Sequence, residues 1–188
     1  KPIPEFGHIQ IWNLEVDGKD LIVPGEVFSI IRDGKILAID PGTSGGQDLI
    51  ISKQNPNLLY ISINGGLRIF IRKGNFWEKF GDIPGMSKTI WSISESEDGT
   101  LWGGTQANIA YRITPAFGQD GLPLIGDFKN KIFGTENGLV NFQGYPTEIN
   151  GEIFFLQSGE CLLKNTKTYK IVPSQRFGML RLTLRMRE

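Results

Sequence analysis

Histidine, cysteine and clustered acids are the residues through which this chain could do chemistry, and their numbers and spacing confine it. His8 is the single histidine and Cys161 the single cysteine of the 188 residues. An imidazole-based zinc site would need a second histidine, so zinc catalysis is not expected. Ser-His-Asp hydrolysis would have to use the same His8, and no G-x-S-x-G elbow is present. One cysteine allows no internal disulfide, and Cys161 reads as a buried strand thiol. Glu95, Glu97 and Asp98 crowd into "SESEDG", but the alternating oxygen ligands, central glycine and closing glutamate of a calcium loop are missing. They read as the solvated tip of a hairpin. The stretch "SINGGLR" (62–68) has two glycines without the Lys-Ser/Thr pair or the following helix of a phosphate loop. A carboxylate pair for glycoside cleavage comes from distant loops and leaves no local signature. No catalytic residue, metal or cofactor is therefore expected.

The elements that hold these residues are short strands. The chain has 24 glycines, 12 phenylalanines, 4 tryptophans and 4 tyrosines, and it lacks long runs of Ala, Leu, Glu and Lys, which suits strands joined by tight turns. The expected fold class is all-β. "IWSISESEDGTLWGGT" (90–105) reads as an alternating strand, a turn at Asp98-Gly99 and a second strand carrying Trp102. Three other stretches follow the same plan: "VFSIIRDGKILAID" (27–40) turns at Asp33-Gly34, "LIISKQNPNLLYIS" (49–62) at Asn55-Pro56-Asn57, and "YPTEINGEIFFLQS" (145–158) at Asn150-Gly151. Aligning the turns brings Leu37, Tyr60, Trp102 and Phe154 into one row as structural residues, with Gly99 and Gly151 required by the turns.

The later hairpins are each followed by a third strand, "LRIFIRK" (67–73), "IAYRIT" (109–114) or "CLLKNT" (161–166). A fourth comes around "NFWEKFG" (75–81), "NKIFGT" (130–135) or "TYKIVP" (168–173). Four antiparallel strands per repeat make a propeller blade, and the expected architecture is a β-propeller segment of about three and a half blades, part of a larger ring. The reading divides the chain into a partial or irregular blade at 1–46, a blade at 47–83, a blade at 84–139 with an insertion at 115–128, a blade at 140–177 and a terminal strand or tail at 178–188. "FGDIPGM" (80–86) and "FGTENGL" (133–139) mark where strands leave one blade for the next, while "FGQDGLP" (117–123) lies in the insertion.

The phrase "IWSISESEDGTLWGGT", with the later "FGTENGL", resembles the two-component regulator propeller repeat. Ile109 stands where that pattern has a glycine, and Ser62-Ile63 and Leu156-Gln157 replace its Gly-Thr. The resemblance implies the sensory, extracytoplasmic (periplasmic) part of a hybrid histidine kinase or related regulator, engaged in signal transduction. "QANIAYRITP" (106–115) is similar to the repeats of streptogramin lyases, which need a histidine inside the repeats. His8 lies outside them. Ser96 to Trp102 approaches the sialidase Asp-box but lacks one residue between Asp98 and Gly99.

Twenty basic and twenty acidic residues give a formal net charge of zero, so no overall field draws the chain to nucleic acid. The four arginines of "RFGMLRLTLRMRE" read as a solvated edge or terminus. No apolar run is long enough for a membrane helix. The expected function is a ligand-sensing or protein-interaction scaffold. The alternatives are a propeller lyase or glycan-cleaving hydrolase, and a structural oligomerisation segment. The expected partners are other blades of a parent chain or a second copy. The expected ligand is a small neutral polar molecule such as a glycan fragment, held by inter-blade loops carrying Asn64, Lys88, Gln106, Asn108, Asn141, Gln143 and Tyr145.

Overall fold

The computed structural model describes residues 11–40, 42, 46–139, 145–157, 160–165 and 170–173. Among them run sixteen strands in four sheets. The first sheet holds β1 (Glu15–Asp17), β2 (Asp20–Val23), β3 (Phe28–Arg32) and β4 (Lys35–Asp40). The second holds β5 (Leu49–Ile51), β6 (Leu58–Ile63), β7 (Gly66–Lys73) and β8 (Phe76–Ile83). The third holds β9 (Ser92–Glu95), β10 (Leu101–Gly104), β11 (Ala110–Thr114) and β12 (Lys129–Phe133). The fourth holds β13 (Tyr145–Ile149), β14 (Glu152–Gln157), β15 (Glu160–Asn165) and β16 (Lys170–Pro173). Every strand pairs antiparallel with its sequence neighbour. This is the up-and-down sheet of a propeller blade, four times over.

The sheets stack face to face, and period-two alternation supplies both faces. In β6, Leu59 and Ile61 pack with Ile22, Phe28 and Ile30 of the first sheet, and Phe28 meets Phe70 at a centroid distance of 4.4 Å. Leu58 and Tyr60, of opposite parity, pack with Leu101, Tyr111 and Ile113 of the third sheet. A strand covered on both sides reads as an unbroken apolar run, and "LLYISI" is one. Between the third and fourth sheets, Trp102 packs with Ala110, Phe133, Ile153 and Phe155. Tyr60, Trp102 and Phe154 are buried as the row predicts.

Leu37 departs from that row. Asp33-Gly34 joins the third and fourth strands of its sheet, not the first and second, so Leu37 lies on the outermost strand and is 38% exposed. An Asp-Gly pair marks a two-residue hairpin without saying which of a blade's three hairpins it closes. The position matching Trp102 is Ile22 of β2, fully buried against the second sheet. Residues 15–40 thus make a four-stranded sheet where a partial or irregular blade is expected over 1–46, and its irregularity is a register shift between Phe28 and Ser29. Residues 115–128 lie between β11 and β12, closed by a Phe117–Pro123 bridge and a 3-10 turn at Ile125–Asp127. Gly99 and Gly151 take φ of 76° and 82°, the left-handed region their turns require.

Side-chain ties lock neighbouring sheets. Arg68 of β7 forks onto Asp82 at 2.7 and 2.9 Å and reaches Asp40 of the first sheet at 2.6 Å. Glu95 of β9 accepts the Ser52 hydroxyl at 2.7 Å, and Ser94 donates to the Pro146 carbonyl of the fourth sheet at 2.6 Å.

Candidate functional site

In such a stack the first strand of each sheet lies nearest the common axis, and the chain enters each from the same rim. The residues at those entry points are Trp12 and Asn13 before β1, Gln47 and Asp48 before β5, Trp91 and Ser92 at β9, and Tyr145 at the head of β13. Together they line one hollow of about 300 Å³. Four sheets contribute to it, which places it on the axial side.

Hydrogen bonds accepted by Asp48 fix its walls. One carboxylate oxygen accepts the Leu49 N–H at 2.9 Å and the Asn13 amide; the other accepts the Ile93 N–H at 2.6 Å. A single buried side chain therefore ties the heads of β1, β5 and β9. The Ser62 hydroxyl in turn accepts the N–H groups of Gln47 and Asp48, each at 3.0 Å. Burial pushes the Asp48 pKa up, and the nearby Glu15 charge acts in the same direction, while the three hydrogen bonds oppose them. Trp12 and Trp91 meet edge to face at 6.1 Å, and both Trp12 and Tyr145 expose about half their surface. Gln47 Oε1 and Ser92 Oγ are buried in the lining without a hydrogen-bond partner. Aromatic walls with a few unspent polar atoms are the kind of lining that small-molecule pockets commonly have.

The residues expected in the inter-blade loops scatter. Tyr145 lies in the hollow. Asn64 sits in the β6–β7 turn, where its side-chain oxygen accepts the Thr89 hydroxyl at 3.2 Å. Lys88 precedes β9 and donates its backbone N–H to the Tyr111 hydroxyl at 3.1 Å. Gln106 and Asn108 belong to the β10–β11 turn, Asn108 with φ of 55°. These four belong to the same rim but do not line the hollow. Asn141 and Gln143 lie outside the described residues, as does His8. The six other lining residues escape the sequence reading, yet a signal for them exists. "IWNLEVDG" (11–18) matches "IWSISESEDG" (90–99) in its Ile-Trp-polar opening and its Asp-Gly close, and the two tryptophans of those phrases are the pair that meets in the hollow.

A second hollow, of about 360 Å³, lies at the opposite rim, where the β1–β2, β3–β4 and β7–β8 turns meet. Four of the six charged residues in its lining are spent on one another. Arg32 forks onto Asp20 at 2.7 and 2.6 Å, holding that carboxyl below its ordinary range, and Arg72 reaches Asp17 at 2.7 Å. It is a latch between the first two sheets, with little left to offer a ligand.

No family model matches the chain, and no curated protein matches it. Solved structures do. A catalytically inactive virginiamycin B lyase from Staphylococcus aureus with quinupristin is 19% identical, with a TM-score of 0.60 over 88% of this chain and 55% of that one. The extracellular domain of a protein described as a hybrid two-component system of B. thetaiotaomicron is 12% identical, with a TM-score of 0.60 over 89% of this chain and 22% of that one. The Cps50 (Swd1) β-propeller domain of Myceliophteria thermophila is 10% identical, with a TM-score of 0.62 over 88% of this chain and 59% of that one. The chain spans less than two thirds of each. At these identities the likeness shows the fold, a β-propeller segment, and the neighbours include both kinds of protein whose repeats the sequence resembles. No helix among the described residues is long and apolar enough to cross a membrane.

Proposed function

We propose that this propeller segment is the ligand-recognition part of a two-component-type sensor or regulator, with no chemistry of its own. The observation that carries the reading is the axial hollow, where four strand heads bring three aromatic side chains and two unspent polar atoms around one space. A small polar ligand such as a glycan fragment suits it, since sugar rings lay apolar C–H faces on aromatics and offer hydroxyls to amide and hydroxyl groups. The likeness to an extracellular sensor domain supports an extracytoplasmic, periplasmic setting. Further blades of a parent chain, or a second copy, would flank the arc and cover its outer sheets.

Trp12 and Trp91 make the test direct. Titrating the protein with an oligosaccharide panel should change its tryptophan fluorescence, with matching heats in calorimetry and no new product by chromatography. Cleavage or elimination of any panel member would replace this reading with a lyase or hydrolase, and a panel silent in both measurements would remove the glycan.

A further inference from the structure

We propose that the axial hollow selects ligands carrying an ammonium group, a step that rests on the recognition reading above and goes beyond it to the charge of the ligand. The hollow is electrostatically one-sided. Among the described residues its lining holds the Asp48 carboxylate and no lysine, arginine or histidine. Asp48 is 9% exposed, and its three donors are an amide side chain and two backbone N–H groups, all neutral. Elsewhere in the described residues Asp20 has Arg32, Asp40 and Asp82 share Arg68, and Glu148 has Lys53, while the buried Glu95 is held by the Ser52 hydroxyl and the Lys53 backbone N–H. Buried charges are normally matched by an opposite charge. Asp48 has none among the ion pairs of the described residues, and Glu15 adds a second negative charge within electrostatic reach.

The unspent atoms agree in kind. Gln47 Oε1 accepts hydrogen bonds only, and Ser92 Oγ can accept as well as donate. The Asn13 amide cannot serve a ligand as a donor, because it is committed to Asp48 and to the Leu49 carbonyl at 3.3 Å, while its oxygen accepts the Leu14 N–H at 2.8 Å. Trp12, Trp91 and Tyr145 put aromatic rings in the lining, and the negative quadrupole of an aromatic face attracts a cation. An ammonium with free N–H groups satisfies all three features: it supplies the missing countercharge, donates to Gln47 and Ser92, and lies against the rings. A carboxylate or phosphate would be repelled by Asp48, by the Gln47 oxygen and by the ring faces, with the Ser92 hydroxyl able to donate to it.

The test compares ligands of one shape and different charge by calorimetry at neutral pH: glucose, 6-amino-6-deoxyglucose and glucuronic acid, together with cyclohexanol and cyclohexylamine. The amine of each pair should bind about tenfold more tightly than its alcohol, a preference shrinking at about 1 M salt, where screening acts over roughly 3 Å. Gln47→Met should bring the amine within about twofold of the alcohol, with an unchanged melting temperature showing that the fold survives. Equal affinity of amine and alcohol, or tighter binding of glucuronic acid, overturns the selection while leaving recognition standing. Cyclohexylamine binding with every sugar silent removes the glycan and keeps the selection. Silence of all five removes both.

Discussion

Asp48 accepts the backbone N–H of Ile93 at 2.6 Å, so a carboxylate at the head of one sheet's inner strand holds the head of the next. Its pKa stands above the ordinary aspartate value of 3.8 because burial outweighs the donors. A carboxyl with a higher pKa folded than unfolded makes the folded state bind its proton more tightly, so its contribution to stability grows as pH falls through the folded pKa and levels off below the unfolded one. Asp20 and Asp82 have lowered pKa values, held so chiefly by hydrogen bonds from Arg32 and Arg68, and they act oppositely, losing stability only below that ordinary value. Between about neutral pH and about 4, thermal melts should therefore show the protein gaining on its Asp48→Asn variant. A difference that is flat or reversed across that window would contradict the burial argument.

Trp102 is fully buried, with Phe133 at 5.1 Å and Phe155 at 5.5 Å between ring centroids. Trp102→Ala should cost about 3–5 kcal/mol in denaturant unfolding, the range for large aromatic truncations in cores. Phe133 and Phe155 belong to different sheets, so the loss should appear as loosened docking of the fourth sheet, with faster amide exchange in β13 and β14 than in β6 and β7.

Gly151 combines a φ of 82° with a close neighbour, since a Cβ there would stand 2.6 Å from a Glu97 carboxylate oxygen. Gly99, with φ of 76°, would place its Cβ 3.3 Å from the flexible Gln54 side chain. Valine at either should destabilise by more than about 1 kcal/mol, through left-handed backbone that a branched residue resists. Thr100→Val keeps ordinary backbone and should cost less. Chemical denaturation of the three variants orders them, and a Gly151→Val protein as stable as the parent would contradict the turn geometry.

The blade was legible because its grammar is local. Period-two alternation, Asp98-Gly99 and Asn150-Gly151 announce hairpins within a dozen residues, and β7, β8, β11, β12, β15 and β16 fall where the third and fourth strands are expected. Phase was harder. Anchoring the first repeat on Asp33-Gly34 puts Leu37 beside Trp102 and leaves "IWNLEVDG" unassigned, although Gly18, at φ of 62°, lies in the turn between the first two strands. The hollow was hidden for the same reason. Trp12, Gln47, Asp48 and Trp91 are far apart in the chain and meet only because strand heads of successive sheets converge. No local pattern reports convergence.

Arg68 is 6% exposed and bridges Asp40 of the first sheet and Asp82 of the second. Removing the guanidinium leaves the partly buried Asp40 without its cation, so Arg68→Met should cost about 2–4 kcal/mol, somewhat moderated by the partial exposure of Asp40 and Asp82. Lys73 and Glu78 pair at 3.0 Å with both side chains mostly exposed, and Lys73→Met should cost under about 1 kcal/mol. Equilibrium unfolding at low and high salt separates the two cases, because screening weakens the exposed pair and barely touches the buried one. Equal losses would mean that the inter-sheet tie adds nothing beyond a surface pair.

The two sets of rim residues can be told apart by function. Trp12 is 59% exposed, so little packing depends on it, yet its ring meets Trp91 edge to face in the lining of the hollow. Gln106 is exposed in the β10–β11 turn and does not line that space. Trp12→Ala should leave the melting temperature nearly unchanged and weaken ligand binding about tenfold, the scale of one lost aromatic or cation–π contact. Gln106→Ala should change neither. Calorimetry with the tightest ligand of the amine series measures both variants on one scale. If Gln106→Ala abolishes binding while Trp12→Ala is silent, recognition lies in the turns between second and third strands, and the axial hollow is a feature of packing alone.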